Sequence, residues 1–374
     1  MLDSKLKIDN VETFLLDVPT IRPHVLAMVT MNHQSMVILR ITFSDGTQGI
    51  GEATTIGGLS YGGESPESIK LTLDKYIAPI LLEQDYKSVG ATMSFIKHNI
   101  VANRFAKCAV EMALYDALGH RLGVSVSELL GGRVLDRLAV LWVLASGKLE
   151  TDIDEAQRMI DSRRHNVFKI KIGKRSVDQD VAHVAAIKRA IGDAGRVQVD
   201  VNQAWTRAQA NRGARMLADA GIELLEQPLV SSDVEGAQHL VSLGVIPIML
   251  DESVQGPKVA LDLVRAKAAD IYAIKILQAG GLTEAQEVIS VAKNSGAGLY
   301  GGTMLESPVS TIAAAQLFST FDAFEWGTEL FSPLLQKDSF INESLDYSDF
   351  QLTVPTGPGL GISLDQEKVD FYKR

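Results

Sequence analysis

The chain has 374 residues, 46% of them hydrophobic, and 46 acidic against 36 basic side chains give a formal net charge of −10. That length suits one barrel of ordinary size plus a smaller domain, and the negative balance argues against a nucleic-acid or anionic-membrane surface. No window approaches the roughly 18 uninterrupted apolar residues of a membrane span, Met1-Leu2-Asp3-Ser4-Lys5-Leu6-Lys7 opens without a signal-peptide pattern, and the single cysteine, Cys108, excludes an intrachain disulfide and fits a reducing cytoplasm.

The first elements read as antiparallel sheet. Residues 11–18 and 36–43 are rich in strand formers, and Ser44-Asp45-Gly46-Thr47 is a hairpin turn signal. A glycine-rich loop follows at 54–63. Ser65-Pro66-Glu67-Ser68 opens a helix with a cap and a proline at its first position. Further helix is expected over about 104–121 and 125–130, and Gly131-Gly132-Arg133 marks a boundary, so a first domain is placed at 1–133. From residue 138 the pattern alternates strand and helix. The predicted strands are 138–144, 167–172, 197–200, 224–226, 246–251, 271–275, 298–300 and 324–326, with helices between them, among them 178–191, 208–220 and 282–293. Eight such units imply a closed parallel (β/α)8 barrel over 134–340. The tail, 341–374, contains one strand pattern at 350–354 and too little core to stand alone, so it is expected to return to the N-terminal domain.

Functional groups recur at the strand ends. Asp200 closes Arg196-Val197-Gln198-Val199, Glu226 closes Ile222-Glu223-Leu224-Leu225, Asp251 closes Pro247-Ile248-Met249-Leu250 and Lys275 closes Ile271-Tyr272-Ala273-Ile274. These four lie 26, 25 and 24 residues apart. The C-terminal strand ends are where a barrel carries its active site. Any one of the acids could be a plain helix cap. Three in succession, beside lysines, are better explained by a shared cation, because unpaired carboxylates crowded at a barrel mouth repel. The seven histidines are scattered and only one cysteine is present, so the all-oxygen set points to Mg²⁺ or Mn²⁺ rather than zinc. In Phe168-Lys169-Ile170-Lys171-Ile172 the two lysines share one strand face. The other face is apolar and suits the helix layer, so Lys169 and Lys171 point into the barrel. Two neighbouring ammonium groups and a dication depress each other's proton affinity, which suits a lysine to proton transfer. Asn202, on the same face as Asp200, is a candidate substrate or ligand-supporting group. Gly301-Gly302 allows close backbone approach to a ligand. Glu329, just past the last predicted strand, is expected either to donate a proton or to orient Lys275.

At these residues the chain resembles the muconate-lactonizing subgroup of the enolase superfamily, whose signature is a Lys-x-Lys strand, three metal carboxylates on the next three strands and a lysine on the sixth. Asp17-Val18-Pro19-Thr20-Ile21-Arg22-Pro23-His24, Gly51-Glu52-Ala53-Thr54-Thr55-Ile56-Gly57-Gly58-Leu59, Gly301-Gly302-Thr303-Met304-Leu305-Glu306 and Trp326-Gly327-Thr328-Glu329-Leu330-Phe331 look like the muconate cycloisomerases of the β-ketoadipate pathway. The resemblance covers essentially the whole chain. It implies an α+β capping domain, completed by the C-terminal tail, over a modified barrel, and a homo-oligomer, octamers among them. It also implies one divalent cation, Mn²⁺ or Mg²⁺, on Asp200, Glu226 and Asp251. By the same resemblance Lys171 transfers the proton, Lys169 tunes it, Lys275 faces the opposite side of the substrate, and Ile56, Asn202 and Thr303 contact substrate. The segments 20–31 and 54–63 correspond to two loops that close over the site. The expected reaction is reversible lactonisation of cis,cis-muconate. Ser307, Ser310 and Ser332 stand where the family often has glycine, which leaves chloro- and methyl-muconates open. Within the superfamily, o-succinylbenzoate synthase and dipeptide epimerase are further alternatives, and a non-catalytic barrel is the alternative outside it.

Overall fold

The computed structural model describes residues 6–26 and 29–374. Two earlier readings fall partly outside these residues, the N-terminal heptapeptide at 1–5 and the loop segment 20–31 at Ala27 and Met28. The chain opens with an antiparallel sheet of β1 (Ile8–Val25), β2 (Thr30–Phe43) and β3 (Gln48–Thr54) in that order. The predicted turn joins β2 to β3, with Gly46 at φ +84° where a side chain would be strained. β1 runs beyond the predicted 11–18, and its register against β2 slips between Pro19 and His24. Its end reaches the barrel, where Val25 N–H donates to the Ala145 carbonyl at 3.2 Å.

One long helix, Arg104–Leu122, lies flat on this sheet. The contact is unusually close because β3 presents glycine to it. A Cβ built on Gly51 would meet the carbonyl oxygen of Ala109 at 2.0 Å, and one on Gly49 would meet that of Ala113 at 2.0 Å. Cys108 is fully buried in this helix, a packing thiol rather than a reactive one. The tail locks onto the same elements. The Asp116 carboxylate accepts from the backbone of Ile50 at 2.8 Å and of Leu360 at 2.7 Å, the helix Gln366–Tyr372 packs on β1, and Arg374 N–H donates to the Leu15 carbonyl at 2.8 Å.

The predicted strand 138–144 divides in two. β4 (Arg137–Ala139) joins β12 (Tyr347–Ser348) and β13 (Gln351–Thr353) in a small antiparallel sheet, order β12-β13-β4. β5 (Trp142–Leu144) begins the parallel sheet, followed by β6 (Val167–Lys171), β7 (Arg196–Asp200), β8 (Leu225–Glu226), β9 (Ile248–Leu250), β10 (Ile271–Ile274) and β11 (Gly298–Gly301), each beside the one before it. The eighth predicted strand, 324–326, is absent: those residues form a turn. Closure is carried instead by Thr328, which bridges Gly301 on one side and Val140 on the other. Glu329 N–H donates to Gly301 and Thr328 N–H to Ala139, at 2.7 and 3.0 Å. An eighth position one residue wide completes the ring, so the fold is a modified barrel rather than a regular eight-stranded one.

Candidate active site

Strand register sets the chemistry. In the parallel sheet Lys171 pairs with Asp200 and Asp200 with Glu226, so three inward side chains stand in one row at the strand ends. Asp251 follows β9 and Lys275 follows β10 by one residue. Lys169 lies one inward position deeper in β6. Most are withdrawn from solvent, Lys169 and Asp200 0% exposed, Glu226 1%, Asp251 2% and Lys275 4%, while the Lys171 side chain keeps 13% exposure. Each acid holds one lysine. Lys171 Nζ donates to Asp200 Oδ2 at 2.5 Å, Lys275 Nζ to Asp251 Oδ2 at 2.7 Å, and Lys169 is ion-paired with Glu226 and, at 2.9 Å, with Glu329.

Oxygens of Asp200, Glu226 and Asp251 lie within 4.8 Å of one another. A hard cation bonded at about 2.1 Å brings its oxygens somewhat closer than that, a change within reach of small side-chain rotations. Asp251 Oδ1 is buried with no hydrogen-bond partner among the described residues, so it is available to such an ion. The charge count agrees. Asp200, Glu226, Asp251, Glu252 and Glu329 face Lys169, Lys171 and Lys275, so with every carboxyl ionised two negative charges are left over, the charge of one dication, and without an ion some of the acids hold protons. Burial, then the Asp200 carboxylate, pushes Glu226 well above the usual carboxylate range. Burial, then the Asp251 and Asp200 charges, raises Glu252 to about 8.

The lysines differ from expectation. Burial works to lower all three, but the adjoining carboxylates outweigh it and hold them above the ordinary lysine value. Mutual repulsion is therefore the lesser influence while the acids are unengaged; a cation that neutralises Asp200 removes the charge holding the Lys171 proton. Glu329 also has a different direct partner from the one expected. It is 4% exposed, and its direct partner is Lys169, not Lys275. Burial opposes its ionisation, yet the Lys169, Lys171 and Lys275 charges bring it down to about 2. Its ion pair with Lys169 makes it an electrostatic anchor for that lysine.

The predicted substrate contacts Ile56, Asn202 and Thr303 line one small cavity with Lys171, Lys275 and Glu329, about 20 Å³ in volume. That holds little more than a water molecule, so a six-carbon diacid requires the covering loops to shift. Asn202, at φ +44°, donates through its backbone to Asp200 Oδ1 at 2.7 Å and through Nδ2 to Asp200 Oδ2 and Glu252 Oε1 at 3.0 and 3.1 Å. It orients the acids as well as facing the cavity. The Thr303 hydroxyl is committed to Glu306. Sequence reasoning missed Tyr61, Glu252 and His24. The Tyr61 hydroxyl donates to Asp251 Oδ2 at 2.7 Å and receives from Lys275 Nζ at 2.7 Å. Burial and the Asp251 charge hold that hydroxyl protonated. Glu252, next to a strand-end acid, was the one with a usable signal.

The serine departures sit away from the cavity wall. Ser307 N–H and Oγ donate to the buried Glu52 at 2.7 and 2.5 Å, and Ser310 N–H does so at 2.8 Å. They join β3 to the helix Pro308–Phe318. Ser332 lies behind Thr303, with the two hydroxyl oxygens 3.1 Å apart.

Comparison with known proteins agrees with this geometry. Residues 10–131 match the mandelate racemase / muconate lactonizing enzyme N-terminal domain, and 151–369 match the enolase C-terminal domain-like family. The chain is 51% identical over 374 residues to muconate cycloisomerase 1-2 of Acinetobacter lwoffii, covering 100% of this chain and 97% of that relative. A chloromuconate cycloisomerase of Cupriavidus pinatubonensis is 39% identical, covering 99% of this chain and 100% of that one. A crystal structure of the muconate lactonizing enzyme from Pseudomonas fluorescens, complexed with muconolactone, superposes with a TM-score of 0.98 at 48% identity, covering 99% of this chain and 100% of that one.

Proposed function

The chain belongs to the mandelate racemase / muconate lactonizing enzyme family of the enolase superfamily, and on that premise we propose that it is a muconate cycloisomerase, an isomerase that reversibly lactonises cis,cis-muconate. The observation that carries the reading is a cluster of three strand-end acids, each paired with a lysine, beside a cavity that Asp251, Lys171 and Lys275 line together with residues of β1 and of the 54–63 loop. We place the cap in 1–133 together with the returning tail, 341–374, over the barrel of 134–340. A divalent cation, Mn²⁺ or Mg²⁺, held by Asp200, Glu226 and Asp251 supplies Lewis-acid stabilisation of charge developing on the substrate.

The remaining work belongs to the side chains. One substrate carboxylate lies at the acid cluster. An oxygen of the other adds to the conjugated double bond, closing a five-membered ring, and the displaced electron pair moves toward the first carboxylate as an enolate. Lys171 then gives its proton to the α-carbon, and in reverse removes it. Its place at the end of β6, in the row of Asp200 and Glu226, supports that role. Lys169, buried between Glu226 and Glu329, adds fixed positive charge below the reacting centre. Lys275 and Tyr61, grouped on Asp251, stabilise charge from the opposite flank. Ile56 closes the cavity from the loop, excluding water from the enolate.

Lactonisation breaks the conjugated diene, so the purified protein should remove the ultraviolet absorption of cis,cis-muconate in the presence of Mn²⁺ or Mg²⁺. The identity to the muconate enzyme exceeds that to the chloromuconate enzyme, and the variant serines lie off the cavity wall, so unsubstituted muconate should be preferred. Turnover of chlorinated muconates alone would overturn the substrate, and epimerisation of a dipeptide with muconate untouched would overturn the reaction.

A further inference from the structure

His24 stands at the end of β1 and is 1% exposed, yet neither ring nitrogen has a hydrogen-bond partner among the described residues. Buried imidazole nitrogens are ordinarily satisfied, because an unmet polar group costs its full desolvation. This one lines the reaction cavity, alongside Lys171, Lys275 and Glu329. The surrounding elements hold it in place. Two residues earlier, Arg22 donates to Glu155 at 2.8 Å and to the Val143 carbonyl at 3.0 Å, and Glu155 also accepts from Trp142 Nε1 at 2.7 Å. One residue later, Val25 N–H reaches the Ala145 carbonyl at 3.2 Å. The end of β1 is thus fastened to β5 on both sides of the histidine.

The rest of the cavity shows what the ring is for. Its acid end is polar and crowded. Away from the acids and lysines the wall is apolar, made of Leu26, Ile56, Val143, Leu305 and Phe331. Thr303 is the other polar side chain there, and its hydroxyl already serves Glu306 and the Leu305 N–H. A dicarboxylate with one end at the acids must bury its second carboxylate against that wall, where it needs a donor. We infer that His24 is a substrate-binding residue whose imidazole N–H donates to the carboxylate that closes the ring, an assignment resting on the muconate reading above.

The electrostatics suit that task. Burial first, then the Arg22 and Lys171 charges, brings the imidazole down to about 3 against the opposing Glu329, so it is a neutral donor at physiological pH. Ring closure consumes the charge of the attacking carboxylate. A cation at this position would stabilise the ground state more than the transition state and slow the attack; a neutral N–H orients the oxygen without that penalty.

The test compares binding of adipate and hexanoate, saturated chains of equal length with two carboxylates and one, to cation-loaded protein by calorimetry. Wild type should prefer adipate by about 10- to 100-fold, the scale of one hydrogen bond to a charged group. His24→Leu should erase that preference, and His24→Gln, which restores an N–H donor, should recover most of it. An unchanged preference in His24→Leu overturns the assignment. So does an equal loss of both ligands, which would mark a packing role, or the absence of any preference in wild type. If adipate is preferred as described but muconate is not turned over, the function proposed above fails while the carboxylate site stands.

Discussion

Glu252 gives the acid cluster a measurable signature. Its carboxyl is raised to about 8 by burial and by the neighbouring Asp251 and Asp200 carboxylates, so below that pH it keeps its proton. A cation drawn into the cluster competes with that proton and expels it. Affinity for Mg²⁺ or Mn²⁺ should therefore climb as pH rises toward 8 and level off above it. Calorimetric titrations between pH 6 and 9, in buffers of different ionisation enthalpy, should report proton release on the rising limb. A pH-independent affinity without proton release would show that the acids are already ionised. Among the residues themselves, those at regular strand ends were legible: Lys169, Lys171, Asp200, Glu226, Asp251 and Lys275 each terminate or alternate within an apolar run. His24 and Tyr61 were not. Tyr61 meets Asp251 across 190 residues of sequence, and although both lie in segments expected to close over the site, nothing local singles out the tyrosine or the histidine within them.

At the scale of elements, the cap owes its position to close contacts and its selectivity to a loop, and two substitutions separate these. Gly51→Ala drives a methyl into the Ala109 carbonyl and should force β3 off the helix Arg104–Leu122, costing about 1–3 kcal/mol. Chemical denaturation would show it as a lower midpoint; an unchanged midpoint would mean the sheet and helix can part freely. Ile56→Phe acts on the cavity instead. It should raise KM for muconate or shift preference among substituted muconates while moving the thermal midpoint less than Gly51→Ala does, since Ile56, though buried, lies on the cavity wall and the larger ring can extend into that space. A large stability loss with unchanged kinetics would make the loop structural. Helix starts and the parallel alternation were readable because caps and apolar periods are local. The eighth strand was not. Residues 324–326 have strand-like composition, but closure needs only Thr328, whose pairing depends on Gly301 and Val140 arriving at the right separation.

For the molecule as a whole, the barrel gathers more acids than lysines into a buried interior and holds Asp200, Glu226 and Asp251 4.8 Å or less apart before any ion arrives. The unfolded chain has no such cluster, so a cation should bind the native state selectively and raise its stability, by about 2.7 kcal/mol at one hundred times the dissociation constant. The thermal midpoint should rise with Mn²⁺ or Mg²⁺ and fall on chelation. A midpoint insensitive to both, in protein shown metal-free by elemental analysis, would contradict the cation site. No helix among the described residues is long and apolar enough to cross a membrane.

Hydrogen exchange by the three lysine variants bears most directly on the proposed chemistry. In D₂O the enzyme should exchange an α-hydrogen of the lactone with solvent, because the reverse reaction passes through the same enolate, and nuclear magnetic resonance follows that exchange directly. Lys171→Ala should lose both lactonisation and exchange, by at least the roughly 10²–10⁴-fold that positioned acid–base groups supply. Lys169→Ala should weaken both through lost charge, and Lys275→Ala should slow the reaction while retaining exchange. Exchange that survives in Lys171→Ala but disappears in Lys275→Ala would put the proton on the opposite flank and contradict the account.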